Sequence, residues 1–570
     1  MKLISSLNWR KFIPIVSWLP KYPHNFLRAD VISGITVWGV VVPAAMAYAE
    51  LAGLPPQAGL YAAFAGMFAY AVFATSRHLK VTASSTVAVM SAAIVSDLST
   101  GAGPERFAAL SAMLAITVGG IILLAGVVKL GFISDFLSKP VITGFLFGVS
   151  LEIMVGQAPK LFGLPRGPGG IFSQASSLIF GIGKTNVWTL GIGAGSLFLI
   201  FIMKRYARRI PSGLVALFVG ILITALFRLD QRRVSVVGSI PVTLPSPALP
   251  LVSISDIPLL IASAGGLVFL AIGESVGTAR AFAAKHGYEI DPDQELIALG
   301  AANLSAGIFQ GFTVDASLSS TATAEEAGAK TQVSTIVSAI MIIVTIAVLA
   351  PLFSQLPNAV LGAIIIYSVL GLLDFAALRR FYNEVRPDFW LSVIALFGVI
   401  LTGVLAGLLI AVFLSVILVV YRVSRPYLVE LGRIPSQPGE YSDLERHPEN
   451  QRIPGLLIVR LDAPLFFANA NVARTQILKL VAESVPPPKA VLFDISSSST
   501  LDISSIDMLK SLLEGLEAKQ VDVLLTQARG TVRDKLRVSG LMDMIGENHI
   551  YLSVDSGVRD FVTKHSTEAN

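Results

Sequence analysis

The sequence predicts an α-helical integral membrane protein of about 14 spans, followed by a small cytoplasmic α/β domain. Three observations carry this. The 570 residues are 54% hydrophobic and 14% charged, with mean hydropathy +0.71, whereas an ordinary soluble domain is roughly 25% charged. Apolar runs of about 20 residues, enough to cross a bilayer, recur through roughly the first three quarters of the chain. Near Ser424 the composition changes sharply: charges become frequent and apolar runs short. A soluble enzyme with one anchor helix is excluded.

Apolar windows place the spans near 31–52, 57–75, 82–97, 107–128, 140–158, 186–203, 210–227, 258–280, 294–310, 317–328, 331–355, 358–375, 388–405 and 406–422. The last two are one run, Phe389 to Tyr421, too long for a single crossing and split near Gly403 to Gly407. With the N-terminus inside, Arg77/Lys80, Lys129/Lys139, Lys204/Arg205/Arg208/Arg209, Arg280/Lys285, Arg379/Arg380/Arg386 and Arg422/Arg425 fall in the cytoplasm, as the positive-inside rule requires. Arg228, Arg232 and Arg233 fall outside, at the start of a longer loop with Pro241, Pro245, Pro247 and Pro250.

Residues 1–30 form a cytoplasmic segment with Lys2, Arg10, Lys11, Lys21 and Arg28, and lack the apolar core of a cleaved signal. The membrane-spanning region covers 31–422. A linker at 423–452 contains Pro435, Pro438 and Pro448. From 453 to 570, buried strands at Leu456–Leu461, Ala490–Ile495 and Val521–Thr526 alternate with helices at Ala470–Ser484, Ile506–Lys519 and Val532–Leu536.

With no cysteine, disulfides, thiolate metal sites and cysteine nucleophiles are ruled out. The net charge of +5 follows from cationic cytoplasmic loops, so no nucleic-acid partner is implied. The six histidines show no metal spacing. No phosphate-binding Gly-Lys-Ser/Thr motif occurs, which disfavours ATP-driven transport by this chain alone. No enzymatic activity, cofactor or metal is expected.

Two spans are unlike the rest. The third opens with Thr82-Ala83-Ser84-Ser85-Thr86; the tenth, after Thr313-Val314-Asp315, opens with Ser317-Leu318-Ser319-Ser320-Thr321 and ends in Glu325-Glu326. Each is third in a set of seven, so they correspond if the chain is two repeats. Irregular backbone within a membrane survives only where it lines a cavity. Half-helices starting there present free N–H groups, a positive dipole end and hydroxyl caps. Two of them facing each other make an anion site with little formal charge. The competing reading is that small hydroxyl residues only permit close helix packing.

Glu50, Glu152 and Glu274 fall within spans, at a cost of at least ~2.5–3.5 kcal/mol each if charged at the bilayer centre. Glu50 sits near an outer end and can reach the interface. Glu152 lies deeper, where a structural partner competes with a function. Glu274 is central to its span, with Thr278 one helical turn away on the same face. The pair can carry a proton, hold sodium through oxygen atoms, or make a structural hydrogen bond.

Longer motifs then point to a family. Pro55-Pro56-Gln57-Ala58-Gly59-Leu60-Tyr61, Ser76-Arg77-His78-Leu79, Leu137-Ser138-Lys139-Pro140-Val141-Ile142-Thr143-Gly144-Phe145 with Gln157 and Leu161-Phe162-Gly163, and Lys285-His286-Gly287-Tyr288 before Gln294-Glu295-Leu296-Ile297-Ala298-Leu299-Gly300 and Asn303 resemble the sulfate-permease (SulP) transporters. The resemblance runs over nearly the whole chain from Phe26. It implies seven plus seven inverted spans, with spans 1–4 and 8–11 as a core and 5–7 and 12–14 as a gate. It also implies elevator-like movement, a homodimer in the cell's plasma or inner membrane, and a C-terminal STAS domain open to a cytoplasmic partner.

By the same resemblance, Tyr48, Ser84, Ser85, Ser319 and Ser320 lie at the positions that bind the anion, and Glu274 and Thr278 at those that bind the coupling ion, H+ or Na+. Three positions depart from the family: Ala44 where many members have Gln or Glu, Ser320 where Arg is common, and Ala83 where Pro is usual. Without that Arg, attraction of the anion rests more on helix dipoles. In the STAS-like stretch, Asp502-Ile503-Ser504-Ser505 puts Ile503 where related antagonists are phosphorylated on Ser, which leaves Ser504 as an alternative acceptor and docking as the simpler role.

The leading expectation is proton-coupled uptake of a small inorganic oxyanion, sulfate. The alternatives are sodium-coupled bicarbonate transport, proton-coupled dicarboxylate transport, or a membrane scaffold acting through the STAS-like domain.

Overall fold

The computed structural model describes residues 12–99, 103–132, 138–165, 167, 170–207, 211–238 and 244–566. Lys2, Arg10, Lys11, Leu137, Arg208, Arg209 and Pro241 of the sequence reading lie outside them. The chain divides into two compact units, one ending at Ser415 and one beginning at Val416.

The first unit is helical. Its first half contains α1 (Leu27–Leu51), α2 (Pro56–Phe73), the two-residue strand β1 (Val81–Thr82), α3 (Ser85–Leu98), α4 (Pro104–Val127), α5 (Lys139–Phe162), α6 (Ile171–Gly181), α7 (Val187–Tyr206) and α8 (Ser212–Phe227). The second half repeats the order. It runs α9 (Asp256–Lys285), α10 (Pro292–Ile308), β2 (Asp315–Ala316), α11 (Leu318–Glu326), α12 (Val333–Val344), α13 (Asn358–Leu370), α14 (Phe375–Glu384) and α15 (Arg386–Thr402), and α16 (Val404–Ser424) leads out of the unit. Every predicted span overlaps one of these helices; the eleventh, 331–355, runs past α12 into a π-helical stretch, Thr345–Leu349, and a 3-10 stretch, Ala350–Gln355. Among the described residues, six helical segments are long and apolar enough to cross a membrane by length and composition. Two of these helices lie outside the predicted spans: α6 and α14, of 11 and 10 residues, are too short to cross.

Local chemistry explains the boundaries. Proline stands at the first helical position of α2, α4 and α10, where its missing N–H costs nothing. The Asn186 and Asp291 side chains cap α7 and α10 by accepting from the next free backbone N–H groups. In the middle of the unit, glycines bring the two halves together. A Cβ on Gly119 of α4 would stand 2.5 Å from Leu304 N, and one on Gly300 of α10 2.6 Å from Leu123 N. Gly126 and Gly307, one heptad further along each helix, are equally tight, at 2.8 Å from Asp293 O and 2.5 Å from Ala112 O. Backbone contact of this kind replaces the hydrophobic drive that lipid removes.

The second unit is α/β. Its sheet has the order β4-β3-β5-β6-β7-β8, from β3 (Leu428–Arg433), β4 (Tyr441–Asp443), β5 (Leu456–Leu461), β6 (Ala490–Asp494), β7 (Asp522–Thr526) and β8 (Ile550–Tyr551). The strands from β5 to β8 are parallel; β3 and β4 pair antiparallel at one edge. Helices α17 (Ala470–Glu483), α18 (Ile503–Glu517), α19 (Gly530–Val538), α20 (Leu541–Ile545) and α21 (Val554–Ser566) complete it. One buried cluster joins β5, β6 and β7 to α17 and α18, and another covers the opposite face with Val558 and Phe561 of α21. β3 and β4 arise within the segment 423–452 that composition reads as a linker. Asp502 caps α18 by accepting from Ser505 N at 2.8 Å; Ile503 and Ser504 beside it are exposed.

Candidate anion site at two broken helices

The segments before α3 and α11 cross as a two-stranded antiparallel pair, with Val81 opposite Ala316 and Thr82 opposite Asp315. Ser317 N adds a bond to Lys80 O at 2.8 Å, and Lys80 N donates to Thr321 Oγ1 at 3.0 Å. Both half-helices therefore start beside this crossing, one from each repeat. Ser84 is the N-cap of α3, and its hydroxyl oxygen is buried with no hydrogen-bond partner. Ser317 is the N-cap of α11 and is satisfied internally: its Oγ accepts from Ser320 N at 3.3 Å and donates to Ser320 Oγ at 2.8 Å.

A cavity of about 420 Å³ opens beside α11, lined by Tyr48, Ser319, Thr323, Tyr367 and Ser368, with Lys204 and Glu326 also in its wall. The Tyr48 hydroxyl interacts with the side chains of Ser85 and Ser368. The structure thus brings Tyr48, Ser85 and Ser319 to one region. Ala44 lines the same cavity, where a longer polar side chain would fill it. Ser320 is buried against Ser317.

Glu274 of α9 is half-buried, its carboxyl in hydrogen-bond contact with that of Asp315. Thr278, also half-buried, follows one turn along. Asp315 is fully buried; its Oδ1 accepts from the Ser275 hydroxyl and from Ala316 N at 2.6 Å, and besides the Glu274 carboxyl no donor reaches its Oδ2. Two carboxyls in contact repel as anions, so a proton or a cation between them is required. The sequence reading named Glu274 and passed over Asp315, which reads as a loop acid until β2 is seen to carry it beneath the crossing.

The family-like motifs hold this crossing in place. Asn303 of α10 acts as a strand edge for Val314, donating to its carbonyl at 2.9 Å and accepting from its N–H at 3.0 Å. Glu295 accepts from Thr75 N, Ser76 N and the Tyr70 hydroxyl, fixing the chain that leads to β1. The Tyr288 hydroxyl accepts from Arg77 N at 3.2 Å and meets His78 Nδ1 at 3.2 Å. The His78 ring stacks on His286 at 4.1 Å. Burial, with His286 and Lys80 alongside, holds the His78 imidazole down to about 4, so this ring is neutral near pH 7. Lys285 and His286 both pair with Glu325 at the end of α11.

Lys80 was read from sequence as a cytoplasmic cation. It is instead fully buried, its ammonium donating to Ser334 Oγ at 2.8 Å and Thr335 Oγ1 at 2.6 Å. Asp30 is the carboxylate whose charge reaches it. The other intramembrane acids divide. Glu50 pairs with Lys160 of α5 at 2.5 Å. Glu152 lines a second cavity, of about 610 Å³, with Asp97, Gln157 and Thr402.

The class defined by this geometry is a helical membrane protein with two half-helices that start beside one strand crossing. Residues 27–395 match the sulfate permease family and residues 447–557 the STAS domain. The chain is 33% identical over 98% of its length, and 100% of the relative's, to "Probable sulfate transporter Rv1739c" of Mycobacterium tuberculosis. It is 30% identical to "High affinity sulfate transporter 2" of Stylosanthes hamata, over 97% of this chain and 88% of that one. The fold matches the structure of the murine Solute Carrier 26 family member A9 anion transporter with TM-score 0.86 and 24% identity, covering 96% of this chain and 93% of that chain. The chain belongs to the sulfate permease family. It is a multi-pass membrane transporter with a STAS domain, and not an enzyme.

Proposed function

We propose that this protein takes up sulfate by proton-coupled secondary transport, with the anion held between the first turns of α3 and α11. The observation that carries the reading is the unpartnered hydroxyl of Ser84 at the cap of one half-helix, across the strand pair from the other. Two helix N-termini together offer about one elementary positive charge, and the amides there suit oxyanion recognition. Relatives named as sulfate transporters over nearly full length support the choice of anion.

In this account Tyr48, Ser84, Ser85 and Ser319 contact the anion, while Ser320 shapes the α11 cap through Ser317. The Glu274–Asp315 pair carries the coupling proton. Its protonated form lowers the charge that crosses the membrane with a dianion, and its deprotonation on the far side favours release. The core, α1–α4 with α9–α12, moves against the remaining helices as an elevator. The protein is a homodimer in the cell's inner membrane, with residues 1–30 and the α/β unit that begins with β3 in the cytoplasm.

Sulfate uptake into proteoliposomes should rise with an inward proton gradient, and Glu274→Gln should remove that rise while leaving sulfate binding measurable. A Glu274→Gln protein that responds to the gradient as wild type does would refute the coupling role. Thr278, one turn from Glu274, favours a second reading, sodium coupling with bicarbonate as the anion. Sodium replacement at fixed pH separates the two.

A further inference from the structure

Outside the transport site, three cationic side chains converge on one cavity. It measures about 460 Å³ and is lined by Lys21, Arg77 and Lys330 together with Trp18, Tyr22 and Thr331. No acidic side chain is among the described residues that line it. The acid nearest to hand is spent on building the walls. Asp30, fully buried, accepts from Lys330 N at 2.7 Å, Thr331 N at 3.1 Å, Thr331 Oγ1 at 2.7 Å and the Tyr22 hydroxyl at 2.9 Å. Its four bonds fix the segment after α11 against the segment before α1 and leave the lysines facing the cavity.

The surroundings belong to a membrane surface. Val16, Leu19 and Leu27 are exposed along the segment that leads into α1, with Trp18 and Tyr22 between them. Apolar side chains, aromatic rings with a polar tip and lysines in this order mark the headgroup level of a bilayer. A basic pocket at that level matches the phosphate of an anionic lipid.

We propose that this cavity binds the phosphodiester headgroup of an anionic phospholipid, with Lys21, Arg77 and Lys330 around the phosphate. The site touches the transport machinery through two chain segments. Thr75 to Arg77 leads to Lys80 and β1, and Lys330 to Gln332 follows α11; Gln332 Nε2 joins them by donating to Ser76 O at 2.8 Å and Leu79 O at 3.0 Å. An occupied pocket clamps together the chain segments adjoining both half-helices and stabilises the helical unit.

The test is the unfolding temperature of the full-length protein in detergent, titrated with phosphatidylglycerol, phosphatidylcholine or inorganic phosphate. Phosphatidylglycerol should raise it saturably and phosphatidylcholine should not. Each cation near an anionic surface contributes about fivefold in affinity, so Lys21→Gln/Lys330→Gln should need about 30-fold more phosphatidylglycerol. Lys129→Gln/Lys139→Gln, which removes the same charge elsewhere, should titrate as wild type does. Lys21→Arg/Lys330→Arg should keep the response, and this variant keeps the test open should the glutamine pair fail to fold. Equal shifts with both lipids, equal losses in the two glutamine pairs, or loss of the response in the arginine pair would overturn the proposal. Reproduction of the full shift by inorganic phosphate would overturn the lipid as its ligand.

Discussion

Thr82 lies opposite Asp315 in an antiparallel pair only two residues long on each side, and that pair joins the two structural repeats. Each strand ends within three residues of a half-helix, so this register sets where both helix starts point. Further contacts flank the pair: Asp315 of β2 meets Glu274 of its own repeat, and across the repeats the Lys80 carbonyl just before β1 receives Ser317 N.

The two cap serines separate stability from binding. Ser317 satisfies its helix end, so Ser317→Ala should cost about 1 kcal/mol and lower the unfolding temperature without anion present. The Ser84 hydroxyl makes no internal bond. Ser84→Ala should leave the ligand-free unfolding temperature within about 0.5 kcal/mol of wild type and weaken sulfate binding, read as a smaller thermal shift on adding sulfate.

Asn303 carries a structural prediction. Asn303→Ala strands the Val314 N–H and C=O in a buried place, at about 1–3 kcal/mol for each unsatisfied group. The unfolding temperature should fall and transport should decline with it, since β2 loses its outer edge. Thermal unfolding and uptake measured on the same preparations check this.

Lys80, which sequence alone assigns to a loop, is held down to about 7 by burial and carries its positive charge fully only below that pH. It stands four positions before Ser84, so their Cα atoms lie within about 14 Å. At that range, with an effective dielectric near 20 and partial cancellation by Asp30, its attraction for a dianion is on the order of 1–2 kcal/mol. Lys80→Met should weaken sulfate affinity on the order of tenfold. The fold should persist, because Ser334 still donates to Thr331 O and Thr335 to Gln332 Oε1. Sulfate-dependent thermal shifts across a concentration series give the affinity.

In the STAS domain, burial opposes ionisation of Asp502, but hydrogen bonds from Ser505 and Phe467 N outweigh it and hold the carboxyl below its ordinary range. A carboxyl with a depressed folded value adds stability that is present above its unfolded value, near 3.9, and is lost as pH falls through the folded one. Amide exchange in the first turn of α18 should therefore accelerate below about pH 4, and Asp502→Asn should remove that pH dependence. Hydrogen exchange by mass spectrometry across pH measures both.

Much of this architecture was legible in the sequence. Continuous apolar runs gave the spans because lipid demands them, and the paired Ser/Thr clusters gave the half-helices because a polar opening to a short span has few other uses. What escaped has physical reasons. α6 and α14 are too short for a window set to bilayer thickness. β3 and β4 carry charges between prolines, and β3 takes its buried face from β5, about 30 residues away. Asp315 and Lys80 sit in unwound segments, where a charge reads as solvent-exposed until the tertiary structure closes over it. Asn303 and Glu295 stood out only as parts of a family motif; their bonds to Val314 and to Thr75 and Ser76 supply the cause.

The most direct test of the central claim is the position of a bound anion, measured by anomalous scattering from selenate in crystals of the full-length protein. The account predicts one strong peak between the backbone amides at the starts of α3 and α11, within reach of Ser84, Ser85 and Ser319. A selenate bound elsewhere, with no peak between those two helix starts, would contradict it.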